Sequence, residues 1–364
     1  MIKKKLIIFM PSIEIGGVEK NLYLISNFLA KKITNVSLIT ANNEEEEKFK
    51  KIKVITPKLF GLGNKFRILK YFLCSFKLIK QILIDKKITV LSFQANLYCI
   101  IICKIFNIKI IVRSNASPSG WSGNFIKKKI FKTIFNLANC IIVNSYDFKN
   151  EFKEKFNIKT ECIYNPLNKN EIIKNSKKEI NFSFFKDFKY LKIINVARLL
   201  DQKDHMTLLK AINLIKNKLK FRLLIIGEGK NKKNIIDFIY KNNLNKNIKI
   251  LDYKKNPFNY MRLSDVFILS SIYEGLPNVL LEAISLKKFI ISSNCPTGPA
   301  EILNNGKGGL LFKINDYNDL ARKIIFYSKN RLKLKQKINY AYNKLDRFNY
   351  YYNLNKYLKT VLNN

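Results

Sequence analysis

Two carboxylates, Glu274 and Glu282, stand eight positions apart with Gly275, Leu276, Pro277 and Asn278 between them, directly after the apolar run Val266–Leu269. The pattern predicts a strand, a tight loop and a helix. Gly275 permits a turn that a residue with a Cβ resists, and Pro277 has the preset φ and missing N–H of a first helical position. Glu274 then sits on the loop at the carboxyl end of a strand, and Glu282 on the helix that follows. In open α/β sheets ligands bind at that edge, and free N–H groups at a helix start favour an anion. A second candidate is Asn195–Asp204, which also follows a strand and precedes a helix. It carries Arg198, one of only eight arginines, and Lys203. A guanidinium grips phosphate as a planar fork and a lysine adds a point charge; the alternative is two surface cations in a lysine-rich chain.

Three further loops are candidates. Ile225–Lys230 carries Gly227 and Gly229 after a strand, but the third glycine of a dinucleotide fingerprint is missing, with Asn231, Lys232 and Lys233 in its place. That disfavours nicotinamide or flavin and leaves either a tight turn or a backbone approach to a nucleotide. Gly16 and Gly17 stand at the start of the first helix, where a phosphate or sugar could come close to the backbone; an ordinary strand-to-helix turn is the other reading. Ser292–Leu303 leads from a strand into a helix one unit beyond the glutamates, with Glu301 either a ligand or a cap. His205 is the only histidine, so a histidine triad or zinc cluster is set aside. There is no D-x-D motif and no P-loop, so no metal is expected, and the cations must come from side chains such as Arg198 and Lys203. The six cysteines form no C-x-x-C pair and read as reduced, buried thiols.

These residues need elements to position them. Strands are expected at Lys5–Met10, Val36–Thr40, Thr89–Phe93, Ile108–Arg113 and Cys140–Asn144, with helices at Val18–Lys31 and Arg67–Lys87. A second series begins at Lys192–Val196 and continues through Arg222–Ile226, Ile248–Leu251, Val266–Ser270 and Phe289–Ser292. Strand–helix alternation argues for parallel sheets covered by helices on both faces. At 364 residues the chain is long enough for about two domains: residues 1–168, a polar irregular linker over 169–190, residues 191–345, and a terminal helix over 346–364 packing back on the first. Two such domains would face each other across a cleft, a preferred small-molecule site.

The net charge of +41 invites a nucleic-acid reading. It is spread evenly, however: residues 1–178 hold 33 basic and 12 acidic side chains, net +21, which leaves +20 for the rest. A dedicated nucleic-acid face concentrates its charge, so no nucleic acid is expected. The acidic run Glu44–Glu47 reads as a solvated turn. No apolar run is long enough to span a bilayer, and the N-terminal apolar stretch is too short for a signal peptide. The expected location is the cytoplasm, with peripheral attachment to an anionic membrane.

Glu274 and Glu282 within Tyr273–Ala283, then Val196–Asp204, Ile225–Gly229 and Gly16–Lys20, taken together, resemble the retaining, sugar-nucleotide-dependent glycosyltransferases of family 4, which have the GT-B fold, an α/β architecture of two doubly wound Rossmann-like domains. The resemblance implies roles. Arg198 and Lys203 match the basic pair on the donor diphosphate, Glu282 the glutamate on the nucleotide ribose, and Glu274 the one beside the donor sugar. Gly275, Leu276, Pro277 and Asn278 match the loop whose backbone meets sugar and diphosphate. Gly16 and Gly17 match a loop that approaches the diphosphate or acceptor. Many members carry a histidine near the reacting sugar. Here that region reads Arg113–Pro118 without one, and the role is open to Asn115 or to backbone. The implied reaction moves a hexose or N-acetylhexosamine, from a UDP-sugar in the first instance, to a saccharide acceptor, leaning toward a lipid-linked or cell-surface glycan precursor. No cofactor beyond the nucleotide sugar is implied. The basic, aromatic stretches Lys65–Phe72 and Phe125–Lys132 suit a peripheral membrane enzyme, or are core helices with lysine-rich outer faces. Two other readings stand beside this one: another sugar-nucleotide enzyme on the same fold, such as an epimerase or phosphorolytic enzyme, and a non-catalytic basic protein binding nucleic acid or anionic lipid.

Overall fold

The computed structural model describes residues 1–14, 16–42, 46–57, 67–115 and 124–364. The chain divides into two compact units, one formed by Met1–Pro166 with Tyr350–Asn364 and the other by Leu167–Asn349.

The first unit is built on strands β1 (Ile2–Phe9), β2 (Ile33–Ile39), β3 (Lys53–Ile55), β4 (Ile88–Ser92), β5 (Lys109–Ser114), β6 (Cys140–Val143) and β7 (Glu161–Cys162). They lie in the order β3-β2-β1-β4-β5-β6-β7, and all neighbours pair in parallel. Alternate residues of β1 point to opposite faces. Ile7 and Phe9 join Val90 and Val112 under the helices Arg67–Ile84, Asn96–Ile105, Phe125–Phe135 and Tyr146–Phe156. Leu6 and Ile8 join Leu38 under the helices Gly17–Lys32 and Tyr350–Asn363, which contribute Leu22, Ile25 and Leu29, and Leu354, Tyr357 and Val361. A sheet covered on both faces explains why its strands read as apolar runs rather than alternating ones.

The second unit is built on β8 (Leu191–Val196), β9 (Phe221–Ile226), β10 (Ile248–Leu251), β11 (Val266–Leu269), β12 (Phe289–Ser293) and β13 (Leu310–Phe312). Their order is β10-β9-β8-β11-β12-β13, again parallel. Ile193, Leu223, Ile225, Ile268 and Ile291 pack with Leu208, Ile212, Ile239 and Ile324 from covering helices. In both sheets the strand order reverses once, between β1 and β4 and between β8 and β11. In a doubly wound sheet that reversal opens a crevice at the carboxyl ends.

Several elements differ from expectation. The segment 169–190 is not simply irregular: it holds the helix Lys169–Ser176, capped by Asn168 Oδ1 accepting from the Glu171 N–H at 3.2 Å, and a 3-10 turn at Ser183–Phe185. Ile172, Phe182 and Phe185 are buried there, so a few apolar anchors organise a mostly polar stretch. The terminal segment begins with a 3-10 turn at Lys344–Phe348 and becomes α-helical only at Tyr350. Residues 44–45 of the acidic run, 65–66 of the first basic stretch and 116–118 after Asn115 lie outside the described residues. Among the described residues no helix is long and apolar enough to cross a membrane.

Candidate active site

Lys203 and Glu274 meet at the strand-order reversal of the second sheet. β8 and β11 pair at Ile193–Val266 and Ile194–Phe267. Beyond that, Asn195 bridges the opening, its Nδ2 donating to the Ile268 carbonyl at 2.9 Å. β8 then runs into the Arg198–Asp204 segment and β11 into Ser270–Pro277. Lys203 Nζ donates to Glu274 Oε1 at 2.5 Å, and Ser271 Oγ donates to the same oxygen at 2.6 Å. Glu274 is only 9% exposed. The backbones are fastened as well. Ser270 Oγ donates to the Lys203 carbonyl at 2.9 Å, the Ile272 N–H to the Gln202 carbonyl at 2.9 Å, and Gln202 Nε2 to the Tyr273 carbonyl at 2.8 Å. Two segments about seventy residues apart thus reach one ion pair by their position in the sheet.

The loop after Glu274 meets the Ser292–Leu303 loop. Thr297 Oγ1 donates to the Glu274 carbonyl at 2.6 Å. The conformational demand expected of Gly275 falls instead on Gly298, whose φ is +90°; a Cβ there would lie 2.0 Å from the Gly275 carbonyl oxygen and 2.7 Å from Pro277 Cδ. Pro277 is the N-cap (φ −70°, ψ 102°) and not the first helical residue; the helix Asn278–Ser285 starts one residue later. Leu276 is buried, and Glu282 is buried in the middle of that helix. Thr297 and Gly298 fall within the Ser292–Leu303 loop that the sequence marks as a candidate; Ser271 is not among the residues to which the sequence gives a role. The serine doublet before Glu274 was the available signal, since hydroxyls at strand ends commonly bond loop backbone.

Arg198 is exposed on the loop leaving β8, and the glycine pair fixes that loop. A Cβ on Gly227 would lie 1.9 Å from the Ala197 carbonyl oxygen, and one on Gly229 would lie 2.4 Å from that of Leu199. The Leu199 N–H donates to the Glu228 carbonyl at 2.7 Å and the Asn231 N–H to the Leu199 carbonyl at 3.0 Å. The two glycines therefore let one protein loop lie against another. They reach the site through Arg198.

His205 stands behind the ion pair at the start of the helix His205–Ile215, 2% exposed. Because Asn195 uses its amide N–H toward Ile268, its Oδ1 is left to accept from His205 Nε2 at 3.1 Å. His205 Nδ1 is buried without a partner among the described residues. Protonating it would bury an unmatched N–H, so burial first, and then the Lys203 charge, press the His205 pKa down to about 4. The unfolded chain takes up this proton from about pH 6.5 downward and the folded chain does not. The neutral histidine therefore contributes stability that is present above pH 6.5 and lost as pH falls toward 4. Between pH 7 and 5 the loss should be about 2 kcal/mol. Denaturant unfolding of His205→Gln at both pH values should show that portion of the slope removed. An unchanged slope would mean that His205 is not held neutral.

In the first unit, Gly16 is the N-cap and Gly17 the first residue of the helix Gly17–Lys32. The φ of Gly16, 177°, is ordinary extended backbone, and a Cβ there would meet only the flexible Glu19 carboxylate. Asn115 follows β5; its Nδ2 donates to the Phe93 carbonyl at 2.7 Å, while its Oδ1 is buried without a partner among the described residues. Beneath it, Arg113 is 1% exposed and donates to Tyr357 Oη at 2.9 Å and Asn165 Oδ1 at 2.7 Å, tying the terminal helix to the sheet edge.

Two family models match this chain: Glycosyltransferase Family 4 over residues 15–171 and Glycosyl transferases group 1 over residues 176–344. The chain belongs to the family 4 glycosyltransferases. It is an enzyme, and the reading as a non-catalytic basic binder is set aside. An uncharacterized glycosyltransferase of Methanocaldococcus jannaschii is 34% identical over 256 residues, spanning 65% of this chain and 62% of that protein. The N-acetylgalactosamine-N,N'-diacetylbacillosaminyl-diphospho-undecaprenol 4-alpha-N-acetylgalactosaminyltransferase of Campylobacter jejuni is 26% identical over 87% of this chain and 88% of its own. The crystal structure of Anabaena HepE in complex with UDP superposes with a TM-score of 0.79 at 16% identity, covering 99% of this chain and 100% of that one. The fold of this family 4 enzyme is thus GT-B, with the ion pair at the strand-order reversal of its second Rossmann-like half.

Proposed function

We propose that this enzyme is a retaining transferase that moves a hexose or N-acetylhexosamine from a UDP-sugar to a saccharide acceptor, a lipid-linked or cell-surface glycan precursor, while attached peripherally to an anionic membrane. The observation that carries the donor site is the buried Lys203–Glu274 pair at the carboxyl ends of β8 and β11, with Arg198 and Glu282 on the adjoining segments. Glu282 is assigned to the nucleotide ribose and Glu274 to the donor sugar. Arg198 and Lys203 are assigned to the diphosphate, whose charge grows as the glycosidic bond breaks. Cations fixed in advance favour that charge more than the ground state, and no metal enters the scheme. The acceptor oxygen bonds to the anomeric carbon on the face the diphosphate leaves, and the acceptor proton passes to the departing phosphate oxygen. Support for a UDP donor comes from HepE, solved with UDP and with UDP-glucose. Support for a lipid-linked acceptor comes from the name of the Campylobacter relative.

A thermal-shift panel of UDP, GDP, ADP, NAD and UDP-glucose tests the donor assignment. UDP at about 100 times its Kd should raise the melting temperature by roughly 5–10 °C, and Glu282→Ala should lose most of that rise while staying folded. An equal rise in the variant would remove Glu282 from the site. A rise only with another nucleotide would change the donor.

A further inference from the structure

The helix Arg67–Ile84 is apolar on two sides. Cys74, Leu78 and Ile82 lie in the core, as expected of a covering helix. Yet Ile68, Phe72, Phe76 and Leu83 are also apolar and stand in solvent, Ile68 at 77% exposure. A surface helix needs only one apolar stripe, and a second, contiguous one marks a contact surface. The neighbouring helix Asn96–Ile105 adds exposed Tyr98, Ile101 and Ile105. Between the two helices runs an open groove of about 260 Å³, its walls including Ile68, Tyr71, Phe72, Phe76, Tyr98 and Ile101, with Ser75 inside it.

The charged groups around the groove are Arg67, the Lys77 and Lys80 of the adjoining helix surface, and Glu14, which lies near Tyr71. Residues 67–135 contain thirteen Lys and Arg but one acidic residue, Asp85, and Asp85 is already paired with Lys5. The Lys and Arg frequency of this stretch is that of the whole chain, and the scarcity of acidic side chains is what leaves it more positive. Arg67 directly precedes Ile68 of the groove wall and holds its guanidinium over the ring of the lining residue Tyr71, 5.7 Å from the ring centroid. An apolar slot with a cation beside it suits a hydrocarbon chain that ends in phosphate.

We propose that the groove between the helices Arg67–Ile84 and Asn96–Ile105 binds the hydrocarbon chain of a lipid phosphate, with Arg67 on the phosphate. This rests on the reading of a lipid-linked acceptor and gives that reading a seat in the first unit. It differs from docking on a bilayer, where any exposed apolar side chain adds affinity.

Ser75→Phe separates the two. It fills the groove while adding apolar surface, so it should weaken binding of monomeric dodecyl phosphate tenfold or more in a calorimetric titration and leave flotation with phosphatidylglycerol vesicles intact or stronger. Ile101→Trp, across the groove, should act in the same way, and Arg67→Gln should lose the preference for dodecyl phosphate over neutral dodecyl maltoside. Undiminished dodecyl phosphate binding by both filled variants would overturn the proposal, as would concentration-dependent dimerisation of the wild type that both fillings abolish, because the groove would then belong to a second copy. The UDP thermal shift measured on the same samples keeps failure of the transferase reading distinct from failure of the groove.

Discussion

Lys203→Met should abolish turnover and destabilise the enzyme by about 3 kcal/mol. The substitution keeps most of the side chain's length and removes its charge, leaving Glu274 buried with the Ser271 hydroxyl on its carboxylate. Removing one member of a buried pair commonly costs about 3–5 kcal/mol, because the remaining charge is left uncompensated, and the lower end applies here since Lys203 retains some contact with water. The double variant Lys203→Met/Glu274→Gln should recover most of that stability, because no uncompensated charge remains. It should not recover turnover, because the transition state still lacks its cation. Unfolding free energies and single-turnover rates for the two single variants and the double variant form a cycle that separates these effects. Full stability in Lys203→Met would mean the pair does not hold the two loops. Turnover within a few fold of wild type would remove Lys203 from catalysis.

That ion pair also marks the boundary of what could be read from the chain. The placing of Glu274, Glu282, Arg198 and Lys203 just beyond β8 and β11 was legible because each follows an apolar strand, and strand ends in a parallel sheet are where ligand groups stand. That Lys203 bonds Glu274 directly was not legible, since it depends on β8 lying beside β11, a long-range neighbour relation that local pattern does not encode. β3, β7 and β13 escaped for a different reason: each has only two or three residues, too few to show a period. The glycines illustrate a third limit. Gly227 and Gly229 were visible as a motif, but the sequence alone could not say whether their missing side chains made room for a ligand or for the Ala197–Leu199 backbone. His205 was set aside because it is the only histidine, and its place between Asn195 and Lys203 became visible only in the fold.

Arg198→Ala should lower kcat by two to three orders of magnitude with a much smaller change in UDP affinity. Removing a fixed donor from developing negative charge typically costs about 3–4 kcal/mol in the transition state. The ground-state diphosphate should retain Lys203 and the helix N-terminus at Asn278. An exposed arginine in a lysine-rich chain would ordinarily be worth little, since surface charges are screened. What distinguishes Arg198 is the anchoring of its loop backbone, held through Leu199 to Glu228 and closed over by Gly227 and Gly229. That anchoring fixes the backbone from which the Arg198 side chain reaches, so that only its own rotamers have to be ordered as the bond breaks. Arg198→Lys should therefore restore only part of the rate: a lysine returns the charge but not the planar fork. Equal rates for the lysine and wild-type enzymes would show that charge alone suffices at this position. Equal losses in kcat and in UDP affinity for Arg198→Ala would show that Arg198 binds the donor uniformly and that the transition-state charge is met elsewhere.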